Sequence, residues 1–220
     1  MIRAFARKAK SLRDRKTAST GLLAYSDFNI FKGKDKYIID SAELKEMFFG
    51  LRQDIVRLSL AQYFCELAYI LVPEDTDSEE YLRLILNSVH FLSEGKKSPR
   101  LIKAITELRI LSLSGYMPDL IACKGCSCYE NEWMYFVPSS ATIYCEDCFN
   151  QGDAPSIRLD MSALTAMRHI CYVDFPKLYS FSIPDNSVIS LSNATERYLL
   201  QVIGKVPQTL GFYRSVEENF

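Results

Sequence analysis

Five of the seven cysteines in this chain crowd into one short stretch, as Cys123, Cys126, Cys128, Cys145 and Cys148; the other two are Cys65 and Cys171. Cys123-Lys-Gly-Cys126 and Cys145-Glu-Asp-Cys148 are two pairs of the CxxC type with 18 residues between them, the spacing of a zinc ribbon or treble-clef site. Two residues between paired cysteines let a tight turn aim both sulfurs at one ion, and Gly125 suits that turn. Four thiolates at about 2.3 Å complete a tetrahedron around Zn2+ and leave no open position for water. The chemistry is structural metal binding by Cys123, Cys126, Cys145 and Cys148. Cys128 is a spare sulfur, and with four residues separating it from Cys123 it also has a tolerable ligand spacing. A redox CxxC pair would need a neighbouring strand–helix frame that the pattern lacks. An odd, clustered set of cysteines fits a reduced, cytosolic chain rather than a secreted disulfide framework.

No other grouping points to catalysis. The sequence has no Gly-rich phosphate loop, nucleophile elbow or HExxH motif. Its two histidines, His90 and His169, stand apart, and Glu43, Glu46, Glu66 and Glu107 read as solvated helix positions. The expectation is a protein that is not an enzyme. Charge is unevenly placed. Residues 1–16 carry seven basic side chains, Arg3, Arg7, Lys8, Lys10, Arg13, Arg15 and Lys16, against the single Asp14, leaving 19 basic and 26 acidic for the rest. That asymmetry points to a polyanion partner at the N-terminal end, and phosphates are contacted by such cations without reading sequence. A solvated tail, or an Arg-rich transit-like segment running into Thr17, Ser19 and Thr20, are the competing readings.

These groups need a frame, and 220 residues with 48% hydrophobic and 24% charged side chains can bury a sizeable core. The longest apolar runs, such as Leu67–Val72, fall short of the roughly 20 residues of a membrane span. The pattern predicts a mainly α protein with small β parts. Residues 1–42 read as a basic β unit in which Phe28–Phe31 and Tyr37–Asp40 flank a Gly-containing turn as a hairpin. Two or three strands cannot close a sheet, so this unit reads as incomplete.

Residues 43–120 read as a helical domain. Ser41 is the expected N-cap of a helix that runs through Leu44, Met47, Phe48 and Leu51, continues from Ile55 to Leu71 and is stopped by Pro73. Two more close at Gly95 and Gly115. Residues 121–150 form the four-cysteine module, with a hairpin of Tyr135–Val137 and Thr142–Tyr144 between its knuckles. Residues 151–220 supply a helix over Met161–Tyr172 and a final one over Leu191–Ile203, whose polar side is marked by Thr195, Glu196, Arg197 and Lys205. His90, His169 and Cys171 are expected to be structural.

The run Glu107-Leu-Arg-Ile-Leu-Ser-Leu-Ser-Gly-Tyr-Met-Pro-Asp-Leu-Ile-Ala-Cys123 resembles the bacterial DNA repair protein RecO family, in which a helix ending in E-L-R-L-L…G-Y-x-P-x-L leads into the first zinc knuckle. Cys126, Cys145 and Cys148 agree with it. The stretch from Arg197 to Leu210 resembles that family's closing helix, and Ala4–Arg13 its basic N-terminal strand and loop. The resemblance implies a partial OB-fold at residues 1–42, with the first barrel strands lacking, and an inserted zinc-ribbon-like module in the helical body.

It also implies a function: a recombination mediator that binds single- and double-stranded DNA, anneals complementary strands, and acts with RecR to load recombinase onto strands coated by single-strand binding protein. The setting it implies is the bacterial cytoplasm, at the nucleoid. Arg3, Arg7, Lys8, Lys10, Arg13, Arg15 and Lys16 would then be DNA contacts. Phe5, Phe28 and Phe31 would be barrel core, hairpin packing or base-stacking partners. Arg100, Lys103 and Arg109, flanking the apolar helix 101–113, would receive the acidic, hydrophobic tail of single-strand binding protein. A zinc-ribbon adaptor or transcription-associated protein working through protein contacts is the alternative, and a metal-dependent hydrolase would need an open metal position.

Overall fold

The computed structural model describes residues 2–6, 16–74, 77–149 and 154–217. Strand β1 (Ala4–Phe5) and the short helix α1 (Lys16–Ser19) precede a long hairpin of β2 (Ala24–Lys32) and β3 (Tyr37–Met47). The hairpin turns where Gly33 N–H donates to Lys36 O at 2.9 Å. β3 lies between its partners, antiparallel to β2 and parallel to β1, in the order β1-β3-β2.

Ser41–Met47, expected to open a helix, is instead the second half of β3, so the boundary expected between residues 42 and 43 falls inside a strand. The residues are good helix formers, but β2 offers them a continuous backbone ladder, and Lys45 pairs across the hairpin with Asp27 at 3.1 Å. Tertiary pairing overrides local propensity here.

The helical body starts after a 3₁₀ turn at Phe49–Gln53. Helix α2 (Ile55–Leu71) is capped by Asp54, whose carboxylate accepts from Val56 and Arg57 N–H, and it ends ahead of Pro73, which disfavours helical backbone before it. Helix α3 (Glu79–Glu94) closes on Gly95 at φ +69°, where any Cβ would also run into the Arg57 guanidinium. Helix α4 (Pro99–Leu113) is buried on nearly every side from Leu101 to Leu108 and packs against α2, α3, helix α5 (Met161–Tyr172) and helix α6 (Asp185–Ile203). It is the axis of the core.

α6 begins six residues before the expected Leu191, because Ser187 and Val188 also bury and Ser187 donates to the α5 cap, Asp160, at 2.7 Å. A further helix, α7 (Gln208–Glu217), docks along α2. Between α4 and α5 lie β4 (Trp133–Val137), β5 (Thr142–Cys145) and β6 (Ile157–Asp160), an antiparallel sheet in the order β5-β4-β6. The hairpin expected between the knuckles is β4–β5. The inner face of the sheet, Met134, Phe136, Ile143, Ile157 and Leu159, joins the same apolar core as the helices, with Phe136 edge-on to Tyr198 at 5.5 Å.

Candidate functional site

The sheet β5-β4-β6 carries the second knuckle at its edge and the loop before β4 carries the first. Sγ of Cys123, Cys126, Cys145 and Cys148 all lie within 4.8 Å of one another, with Cys126 and Cys145 at 3.6 Å. Sulfurs around one tetrahedral Zn2+ stand about 3.8 Å apart, since each is about 2.3 Å from the ion. The donor set therefore fits a single thiolate-bound metal.

Backbone geometry builds the first knuckle. Gly125 and Cys145 N–H point at the Cys123 sulfur at 3.3 and 3.2 Å, while Ser127 N–H closes onto Cys123 O at 2.8 Å. Burial alone would raise the Cys123 thiol, but backbone N–H donors from Cys145, Cys126 and Gly125 override it and bring the group down to about 6. That favours the thiolate a metal requires. Gly125 is obligatory on space: a Cβ there would stand 2.9 Å from both Cβ and Sγ of Cys148.

The module is clamped to the helices by Arg168 of α5, which sequence reading did not single out. Its guanidinium donates to the carbonyls of Leu120 at 2.7 Å, Ile121 at 3.0 Å and Tyr129 at 2.8 Å, and lies 4.0 Å over the Tyr129 ring. Those partners flank the first knuckle on both sides. Only the fold brings Arg168 to them, so no local signal marks it.

Of the seven expected DNA contacts, Arg3 and Lys16 fall among the described residues. Arg3 is exposed beside β1, and Lys16 on α1 donates to Ile39 O at 3.2 Å. Arg7, Lys8, Lys10, Arg13 and Arg15 lie outside the described residues. Phe5 and Phe31 are not core: they are 61% and 63% exposed, and pairing places both opposite Ile38, in a row across β1, β3 and β2. Lys36 Nζ sits 5.6 Å from the Phe5 ring centroid. Phe28, on β2, is also exposed.

The three cations expected to receive a partner's acidic tail are otherwise engaged. Lys103 is 1% exposed and held between Glu107 at 2.8 Å and Glu196 at 2.7 Å. Arg109 donates to the carbonyls of Ile170 at 3.1 Å and Cys171 at 3.0 Å, at the end of α5. Arg100 remains partly exposed and pairs with Glu217 of α7 at 2.9 Å. Reading Lys103 and Arg109 as surface contacts is thus corrected, and so is Glu107 as a solvated acid.

Glu107 is fully buried and accepts from Tyr63 at 2.8 Å and Thr195 at 2.7 Å. Thr195 and Glu196, expected on the polar side of the last helix, face inward because these charges need partners there. Burial would lower the Lys103 ammonium, but Glu107 and Glu196 outweigh it and keep the group protonated. The i,i+4 spacing of Lys103 and Glu107 was the legible sign of this pair. Neither histidine nears the thiols: His90 lies 3.7 Å from Glu46, and His169 Nε2 is 3.0 Å from Lys177 O.

Fold and site together define a helical protein whose body carries a four-thiol knuckle module on a small sheet, with a long β-hairpin ahead of it. The family model described as recombination protein O C terminal matches residues 52–210. The DNA repair protein RecO of Acetivibrio thermocellus is 29% identical over 216 residues, covering 98% of this chain and 86% of that protein. Its counterpart from Symbiobacterium thermophilum is 30% identical over 202 residues, 90% of this chain and 79% of that one. The RecO of Alkaliphilus metalliredigens is 24% identical over 205 residues, 93% and 83%. The chain belongs to the recombination protein O family.

Proposed function

We propose that this chain is a DNA recombination mediator, which binds and anneals single-stranded DNA and helps load recombinase in RecF-pathway repair. The observation that carries this reading is the match to relatives named DNA repair protein RecO over nearly the whole chain. The reading involves no reaction step at the metal. Zn2+ held by Cys123, Cys126, Cys145 and Cys148 would supply a crosslink that fixes the module, coupling metal binding to folding.

Residues 1–42 act in this reading as the partial OB-fold-like basic unit, 43–120 and 151–220 as the helical body, and 121–150 as the zinc module. Arg3, Arg7, Lys8, Lys10, Arg13, Arg15 and Lys16 contact phosphates, while the exposed row of Phe5 and Phe31 offers rings on which unpaired bases stack. RecR and the tail of single-strand binding protein are the protein partners, with the partly exposed Arg100 of α4, now paired with Glu217, left for an acidic tail. The working compartment is the bacterial cytoplasm, at the nucleoid. The adaptor reading has one observation in its favour, the exposed Tyr116, Met117, Ile121 and Tyr129 around the module, a composition suited to protein contacts.

The test is binding of the full chain to a fluorescent single-stranded oligonucleotide across a salt series. With all seven cations engaged, log K falls against log salt with a slope near 5, about 0.7 per phosphate. Replacing the seven together should flatten that slope. No binding at low salt, or a slope unmoved by the replacements, defeats the proposal in favour of the adaptor.

A further inference from the structure

Arg168 of α5 is a buried cation, 9% exposed. Among the described residues its hydrogen-bond partners are three backbone carbonyls, and no carboxylate pairs with it. A buried charge is costly unless hydrogen bonds replace its water, so those carbonyls are what make Arg168 tolerable inside the body. All three belong to one loop. Leu120 and Ile121 lie just ahead of Cys123, and Tyr129 lies just beyond Cys126. Nη2 bonds Ile121 and Tyr129 at once, so a single nitrogen closes the base of the loop that presents the Cys123 and Cys126 sulfurs. The second knuckle sits at the end of β5. Asp119 N–H donates to Ala141 O at 2.8 Å and Lys124 N–H to Ile143 O at 2.9 Å, which ties the loop to that hairpin. The first knuckle is thus held at its base by α5 and along its length by β5.

We propose that Arg168 is a positioning residue of the metal centre, which sets how tightly the four thiols hold an ion without supplying a ligand atom. The inference rests on the four-thiolate reading of the site. Thiolates about 3.8 Å apart repel one another, and a loop free to splay would have to be drawn in again each time a metal binds. That ordering cost comes out of the affinity. With Arg168 in place the loop is ordered beforehand. The coupling is reciprocal. A metal that holds the loop also keeps the three carbonyls on the guanidinium, so an occupied site stabilises α5 and the core packed against it.

The test titrates the full chain with Zn2+ against a competing chelator, and with Co2+ for its spectrum. In Arg168→Met the Zn2+ affinity should fall about 10–100-fold, the range for groups that orient ligands from outside the coordination sphere. At saturating Co2+ the spectrum should remain that of four sulfurs, because no ligand is gone. The rise in Tm on adding Zn2+ should be smaller than in the wild type. Arg168→Lys keeps a cation but loses the Nε bond to Leu120 and the planar stack on Tyr129, so it should fold and bind Zn2+ with an intermediate affinity. Lys103→Met, which weakens the same body away from the knuckle, should hold the metal as the wild type does. If Arg168→Met does not fold, the Lys variant decides. Wild-type affinity in every Arg168 variant that folds, an equal loss in Lys103→Met, or failure of both Arg168 variants to fold would assign Arg168 to the body alone and overturn the proposal. If the wild type binds neither metal, the four-thiolate reading itself has failed and the inference falls with it.

Discussion

Replacing Lys103 with Met preserves much of the side chain's volume and removes its charge from the centre of the helical body. Glu196 would keep a cation, since Arg214 also pairs with it. Glu107 would keep only the hydroxyls of Tyr63 and Thr195 and would lose its sole ion-pair partner among the described residues. Removing one member of a buried pair costs about 3–5 kcal/mol, and the two surviving donors place this case at the lower end. For a chain of this size about 3 kcal/mol lowers Tm by about 6–12 °C.

Acid should relieve that loss. Burial already holds Glu107 above the usual carboxylate range, with Lys103 opposing the shift, so removing Lys103 drives the folded-state value higher. Between the unfolded value, about 4.3, and this raised folded value, the folded variant binds a proton that the unfolded chain does not. Its deficit is therefore greatest near neutrality and shrinks as the pH falls through the folded value. Thermal unfolding of the full chain at about pH 7 and about pH 5 reads both effects. Adding Glu107→Gln should recover much of the stability by removing the stranded charge. A Lys103→Met protein within about 0.5 kcal/mol of the wild type near pH 7, or one equally destabilised at both pH values, would refute the buried-network account.

Three other outcomes follow from the same geometry. Gly125→Ala should weaken Zn2+ retention in a chelator competition, because the added methyl meets Cys148 at 2.9 Å; unchanged retention would mean that the knuckle relaxes freely. Glu66→Gln should destabilise the docking of α7 by about 1 kcal/mol, as for a lost N-cap, since Glu66 accepts from the N–H groups of Gln208 and Thr209 and from the Thr209 hydroxyl. Those donors, and Lys205, hold Glu66 below the usual carboxylate range against the upward pull of burial, so its contribution is present above the unfolded value and lost as the pH falls through the folded one; hydrogen exchange in α7 measures it. Phe31→Ala should lower single-stranded DNA affinity by about 1–3 kcal/mol at constant salt slope, and an unchanged affinity would remove the ring from the interface.

Much of the fold was legible because its signals are local. Pro73 and Gly95 end their helices where the sequence punctuates them, Met161–Tyr172 is helical over the predicted span, and two CxxC pairs meet because each knuckle is a short-range turn. The sequence by itself thus determined most helices, the hairpins and the clustering of four thiols. It did not determine which polar residues would be inside. Lys103, Glu107, Thr195 and Glu196 look like ordinary helix-surface residues until α4 and α6 pack and leave each the other's partner. The strand at Ser41–Met47, the docking of α7 through Glu66 and the Arg168 clamp depend likewise on residues far away in the chain. Buried polar groups must find partners wherever the packing puts them, and only the tertiary structure decides where that is.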